Sequence, residues 1–338
     1  MMDMLSRFPE GRAEVLTGRQ YRMVNEHIGR IVAVGSGKGG VGKSTITSML
    51  ALAAAKQGLK AGILDADITG PSIPKLFGLE NLPQPSGEKL EPAVSTAGIR
   101  VMSINLILDD PAKPVVWRGP MVGSVITQFY TEIDWGKLDY LFIDLPPGTS
   151  DAPLSVMQSI PVDGFVLVTS PQELSVLVVE KAAAMTKMLD VPLIGVVENM
   201  AWLTCPDCGK RIDLFGGSHT GRLESTWGVP LWTTLPVEPS LTALADAGRM
   251  DHYADHGVLD ALFGCLEDSV SKLPRRADTF TPLLEKATPC DGGAEGTRPE
   301  GEPCACSGNT TDCSGSCGSC PSAGGCADRR KTGHSANS

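Results

Sequence analysis

The run Gly37-Lys38-Gly39-Gly40-Val41-Gly42-Lys43-Ser44 has the spacing G-x-x-x-x-G-K-[ST], the pattern of a loop that cradles phosphate. Glycines let such a loop curl until its N–H groups point inward at phosphate oxygens. The helix that starts at its end adds partial positive charge. In this pattern Lys43 reaches the β- and γ-phosphates and the Ser44 hydroxyl is a ligand for Mg²⁺. The ligand is read as ATP, held across Gly35–Ser44, with Val41 and Thr45 completing the contact set. The bland alternative is a glycine-rich turn that binds nothing, which would not require lysine and serine at these offsets. Lys38 puts a second cation inside the loop, next to the phosphate site on any geometry.

Two acidic loops accompany it. Asp65-Ala-Asp67-Ile-Thr-Gly-Pro-Ser72 follows the apolar run AGILD, and Asp144-Leu-Pro-Pro-Gly-Thr-Ser-Asp151 follows YLFID. Phosphoryl transfer needs acidic groups to hold Mg²⁺ and to orient the attacking water. Asp144, at a strand end in the Walker B position, is expected to hold Mg²⁺, directly or through water. Asp65 reads as more structural. Asp151 reads equally well as a helix N-cap. A third chemistry is offered by Cys205-Pro-Asp-Cys208-Gly-Lys, an exposed knuckle with metal-ligand spacing. It could be half of a zinc ribbon or half of an iron–sulfur site.

These residues must be carried by something. The short apolar runs 31–35, 61–65, 101–105, 140–144, 165–169 and 193–199 alternate with helical stretches at 45–57, 122–131 and 174–189. Nearly all-apolar strands separated by helices predict a doubly wound, mostly parallel α/β sheet with helices on both faces. Ligands then sit at the carboxyl ends of the strands. Three segments are expected: a helical arm over 1–28, an ATPase domain over 29–275, and a cysteine-rich tail over 276–338, too poor in apolar side chains to bury a core.

The composition of the 338-residue chain, 42% hydrophobic and 20% charged, is that of a globular protein. The net charge of −10 argues against nucleic acid held on a general basic surface. No apolar run reaches the ~18 residues of a membrane helix, and the N-terminus lacks a secretory pattern. A cytoplasmic location without a membrane partner is expected, where clustered cysteines serve metals more often than disulfides. Cys265, in an apolar stretch, is expected to be a packed core thiol. Gly248–Tyr253, His219, His252 and His256 carry no functional signal.

The segment Lys38-Gly-Gly-Val-Gly-Lys43-Ser44 resembles the deviant Walker A motif of the MinD/ParA/nitrogenase-iron-protein group. That resemblance implies that Lys38 reaches across a dimer to the partner's nucleotide and that Asp67 is the switch I aspartate positioning the water. The order of phosphate loop, Trp117-Arg-Gly-Pro-Met121, DLPPGTSD, Glu198-Asn199-Met200, Cys205-Pro-x-Cys208-Gly and Leu235-Pro-Val-Glu-Pro239 is similar to Mrp/ApbC-type iron–sulfur cluster carrier ATPases, over about residues 20–270. The resemblance implies that Asn199 contacts adenine and that Cys205 and Cys208 ligate a cluster. A four-iron cluster wants four thiolates, so one pair per chain implies a homodimer sharing a cluster across a two-fold axis, from which it passes to apo-proteins.

The tail block Cys317-Gly-Ser-Cys320-Pro-Ser-Ala-Gly-Gly-Cys326 is similar to a ferredoxin-like motif of the eukaryotic cytosolic scaffold relatives, where it lies at the N-terminus. Cys304 is the expected fourth ligand of a second 4Fe-4S cluster, with Cys306 and Cys313 as alternatives. A zinc-binding or redox-labile tail is the competing reading. The leading expectation is an ATP-dependent iron–sulfur cluster carrier; the alternatives are a MinD/ParA-type positioning ATPase and a zinc-stabilised regulatory ATPase.

Overall fold

The computed structural model describes residues 25, 27–80, 83–86, 89–108, 119–148, 151–172, 174–216 and 228–278. The phosphate loop is framed by strand β1 (Ile28–Ser36) and helix α1 (Lys43–Lys56). There follow β2 (Ala61–Asp65), α2 (Ile73–Leu76), β3 (Gln84–Ser86), β4 (Lys89–Glu91), β5 (Ala93–Val94) and β6 (Arg100–Met102). Next come α3 (Gly119–Glu132), β7 (Leu138–Asp144), α4 (Asp151–Ser159), β8 (Gly164–Thr169), α5 (Leu174–Met188) and β9 (Leu193–Glu198). The chain continues through β10 (Leu203–Thr204), β11 (Arg211–Ile212), β12 (Leu231–Thr234), α6 (Pro239–Asp246) and α7 (His256–Val270).

Eight strands form one sheet in the order β12-β9-β8-β1-β7-β2-β6-β5. Every neighbouring pair is parallel except β5 with β6. The reason is in the strands themselves. Residues 31–36 of β1, all of β2 and all of β8 are buried on both faces, which a sheet achieves only with helices on each side. One core gathers Ile126, Phe129, Val156, Met157, Ala182 and Met185 from α3, α4 and α5. The other gathers Ile46, Met49 and Leu50 of α1 with Leu259, Leu262 and Leu266 of α7. The expected doubly wound, three-layer architecture is therefore the observed one.

The elements depart from expectation at the sheet edges. The apolar run at 101–105 is a strand only to Met102; Ile104–Leu106 turn into a 3₁₀ segment. The antiparallel edge strand β5 and the terminal strand β12 carry no long apolar run, and their side chains are only partly covered, with Val94 exposed and all four residues of β12 half-buried. The arm expected over 1–28 lies outside the described residues up to position 24, and Ile28 already belongs to β1. The tail from Thr279 onward lies outside them as well.

The N-terminal edge of the sheet is tied by Asp163, which accepts from the Ile31 N–H at 2.8 Å and the Arg276 N–H at 2.7 Å. Burial pushes the Asp163 carboxyl up despite these bonds. Arg276 also donates to the Leu189 and Asp190 carbonyls at 2.8 and 2.6 Å. This clasp leaves the opposite, C-terminal edge free for the loops that carry chemistry.

Candidate functional site

The predicted phosphate loop joins β1 to α1 with Gly40 and Gly42 at φ +80° and +83°. Only glycine takes this conformation without cost. The two positions differ in surroundings. A Cβ on Gly39 or Gly40 would meet nothing within 4 Å, whereas one on Gly42 would lie 2.3 Å from the Asn199 side-chain nitrogen. Gly42 caps α1 with no side-chain hydrogen bond, so the first-turn N–H groups are offered to a ligand rather than to a capping oxygen. Lys43, Ser44 and Thr45 form the first turn of that helix.

Beneath the loop, Asp144 is fully buried at the end of β7. Its Oδ2 accepts from Lys43 Nζ at 2.7 Å and from Ser44 Oγ at 2.6 Å. Its Oδ1 accepts from the Thr47 hydroxyl at 2.7 Å. Asp67 lies farther out, with Oδ2 3.9 Å from Lys43 Nζ. Its Oδ1 accepts from Thr69 Oγ1 at 3.0 Å and the Gly70 N–H at 3.2 Å, which folds the 67–70 turn. Asp65 stands beside Asp144 in the parallel register of β2 and β7. It accepts from Ser103 Oγ and from the N–H groups of Asp67 and Ile73, so it braces the acidic loop at both ends. Burial, followed by the neighbouring Asp144 charge, pushes its carboxyl up to about 8. The hydroxyl and carboxylate oxygens of Ser44 and Asp144 form a hard donor set of the type Mg²⁺ takes.

Lys38 extends to the loop after β8, where its ammonium donates to the Gln172 side-chain oxygen. Asn199 lies one residue past β9, 9% exposed, and its amide nitrogen donates to the Val41 carbonyl at 3.0 Å. The residue predicted from the resemblance thus packs on the phosphate loop itself. Met200 follows in the left-handed region at φ 57°, an uncommon conformation for a non-glycine residue. It turns the chain out of the sheet.

That turn delivers the cysteine pair. The Ala201 N–H donates to the Leu235 carbonyl and the Val237 N–H to the Trp202 carbonyl, pinning the stem to the Leu235–Pro239 segment. The hairpin β10–β11 then presents Cys205 and Cys208 in its turn, closed by the Cys205 N–H to the Lys210 carbonyl and the Gly209 N–H to the Cys205 carbonyl, both 2.9 Å. Cys205 is half-buried and Cys208 exposed. The N–H groups of Cys208 and then Asp207, with the Cys208 thiol, hold the Cys205 thiol below the ordinary range. Among the described residues no set of three or more His, Cys, Asp and Glu side chains is grouped to hold a metal.

Several participants had no signal in the sequence reading. Thr47 and Ser103 are ordinary hydroxyls in apolar segments. Thr47 was detectable only by its place one turn after Lys43, on the same helix face. Gln172 is a loop residue of no special pattern. Of the five large apolar side chains exposed among the described residues, Ile212, Leu214 and Phe215 follow the knuckle directly, at 41%, 45% and 42% exposure. Cys265, expected in the core, is half-buried on α7; its thiol donates to the Trp232 carbonyl at 3.6 Å and is pushed up by burial. Trp117, His219, Cys304, Cys306, Cys313, Cys317, Cys320 and Cys326 lie outside the described residues, and Asp151 opens α4.

Comparisons with known proteins agree with this geometry. The family model of ParA-type proteins described as NUBPL iron-transfer P-loop NTPase matches residues 27–263. An iron-sulfur cluster carrier protein of Methanocaldococcus jannaschii is 44% identical over 238 residues, covering 69% of this chain and 82% of the relative. The cytosolic Fe-S cluster assembly factor CFD1 of Kluyveromyces lactis is 38% identical over 257 residues, covering 72% of this chain and 90% of the relative. A nucleotide-binding protein of Archaeoglobus fulgidus, solved in complex with ADP, superposes with a TM-score of 0.62 at 46% identity, over 68% of this chain and 90% of that one. The cell division ATPase MinD of Pyrococcus furiosus shares the fold, with a TM-score of 0.52 at 20% identity over 71% of this chain and 99% of that one. No described helix is long and apolar enough to cross a membrane. The match across most of the described chain and these carrier relatives place the protein in the NUBPL-type iron-transfer P-loop NTPase family, among the iron–sulfur cluster carriers.

Proposed function

We propose that the protein is a cytoplasmic ATPase that binds an iron–sulfur cluster between two copies of itself and passes it to apo-proteins. The observation that carries this reading is the joining of two sites on one sheet edge. Asn199 packs on the phosphate loop, and the chain that leaves it forms the Cys205/Cys208 turn. The cluster is cargo: two thiolates from each copy would complete its four ligands. The exposed Ile212, Leu214 and Phe215 beside the turn offer apolar surface for the partner copy to cover.

In this reading the loop N–H groups of Gly37–Gly42 and the α1 N-terminus hold the β- and γ-phosphates, and Val41 and Thr45 complete the pocket. Lys43 exchanges Asp144 for phosphate oxygen and stabilises the charge that develops on transfer. Ser44 and Asp144 would hold Mg²⁺, which supplies charge neutralisation at the phosphates. Asp67 orients the attacking water. Lys38 leaves Gln172 for the nucleotide of the partner copy, so that binding of ATP draws the two chains together. Asn199, seated between the loop and the cysteine turn, contacts adenine and senses its presence. The tail cysteines Cys304, Cys317, Cys320 and Cys326 hold a second 4Fe-4S cluster.

The test is anaerobic reconstitution of the full chain with iron and sulfide, followed by iron, sulfide and zinc analysis and the visible spectrum. Wild type should gain a brown chromophore and run as a dimer. Cys205→Ala/Cys208→Ala should lose the bridging share of the iron while keeping nucleotide binding. A colourless, zinc-loaded wild type would overturn the reading.

A further inference from the structure

We infer that Thr47 is a positioning residue for the cation site of Ser44 and Asp144, a role that rests on the nucleotide-binding reading above. Thr47 is fully buried on α1. Its hydroxyl stands 2.7 Å from Asp144 Oδ1 and 3.1 Å from the Lys43 carbonyl. It has one proton and two acceptors in reach. The nearer one is a carboxylate, and charge-assisted hydrogen bonds are the stronger.

The division of labour at Asp144 gives this bond its meaning. Oδ2 is shared by Lys43 and Ser44, at 2.7 and 2.6 Å. Both of those groups have work to do on phosphate and cation, so both loosen their hold on Asp144 when nucleotide binds. Thr47 faces the interior and has no access to the ligand. It is the donor that stays. By holding Oδ1 it keeps Oδ2 of this fully buried carboxylate turned toward Ser44. Without that bond the carboxylate of Asp144 is free to rotate, and a buried acceptor loses its partner.

The experiment measures binding of a fluorescent ATP analogue to the full chain while Mg²⁺ is titrated, for wild type, Thr47→Val, Thr47→Ala and Thr47→Ser. A hydrogen bond to a charged group is worth enough to move a binding midpoint about tenfold or more. The Mg²⁺ midpoint should rise by about that factor in Thr47→Val and Thr47→Ala. Thr47→Ser should stay within about threefold of wild type, because it keeps the hydroxyl. Affinity for the analogue without Mg²⁺ should change less than about threefold in all of them. Thr47→Ala serves if the valine variant does not fold, because it adds no bulk. A midpoint in the valine and alanine variants equal to wild type would overturn the role, as would a serine variant as impaired as valine. An equal loss of affinity with and without Mg²⁺ would also overturn it, since that marks a distorted loop. Wild-type binding indifferent to Mg²⁺ would instead remove the cation site itself, and the reading beneath it.

Discussion

Gly42 and Asn199 should behave as one unit, and a double-mutant cycle between them tests the joint between the phosphate loop and the cysteine stem. Gly42 has φ +83°, so Gly42→Ala puts a Cβ into the left-handed region at a cost of about 1–2 kcal/mol. That Cβ would stand 2.3 Å from the Asn199 amide nitrogen. The amide must move away from the Val41 carbonyl, now 3.0 Å distant, which forfeits about 1 kcal/mol. The single change should therefore cost about 2–3 kcal/mol. Asn199→Ala alone loses the same hydrogen bond and leaves the buried Val41 carbonyl unpaired, for about 1–2 kcal/mol. In the double variant the steric conflict is gone and the bond is lost once, not twice. Its cost should fall short of the sum by about 1 kcal/mol or more. Urea unfolding of the full chain, followed by far-UV circular dichroism, gives midpoints and slopes for all four proteins. If the two single effects add within ~0.5 kcal/mol, Asn199 does not brace the loop, and the link drawn between the two sites fails.

Other outcomes follow from the same geometry. The folded chain holds a proton on Asp65 up to about pH 8, against an ordinary value of 3.8. The folded state therefore binds more protons than the unfolded one across this window, and stability should fall as pH rises toward 8, by at most ~1.4 kcal/mol per pH unit. Asp65→Asn should flatten this fall in urea midpoints measured between about pH 5 and 8; an unchanged slope would refute it. Because backbone N–H groups hold the Cys205 thiol down, its alkylation by iodoacetamide in the metal-free protein should have a pH midpoint below the ~8.5 of a free thiol, read by peptide mass spectrometry. A midpoint at or above that value would contradict the hydrogen-bonded turn. Leu214→Asp/Phe215→Asp should weaken the cluster-loaded dimer, seen by analytical ultracentrifugation, and leave nucleotide affinity within about twofold of wild type. Intact dimers would show that the partner covers a different face.

The sequence by itself determined the chemistry on offer and the kind of scaffold. A phosphate loop of fixed spacing, two strand-end aspartates and a Cys-x-x-Cys pair are local patterns, and local patterns survive without coordinates. The apolar runs 61–65, 140–144 and 165–169 spelled out buried parallel strands for the same reason: a strand covered on both faces has no polar side to show. Tertiary structure decided which residues complete each site. Asp144 meets Lys43, Ser44 and Thr47 across separations of 101, 100 and 97 residues, and nothing in a hydroxyl's neighbours along the chain marks it as a partner for a distant carboxylate. The seating of Asn199 on Val41, 158 residues away, and the rise of the Asp65 carboxyl are also products of packing. Burial and proximity set both, and neither quantity exists until β2, β7 and β9 are assembled into one sheet.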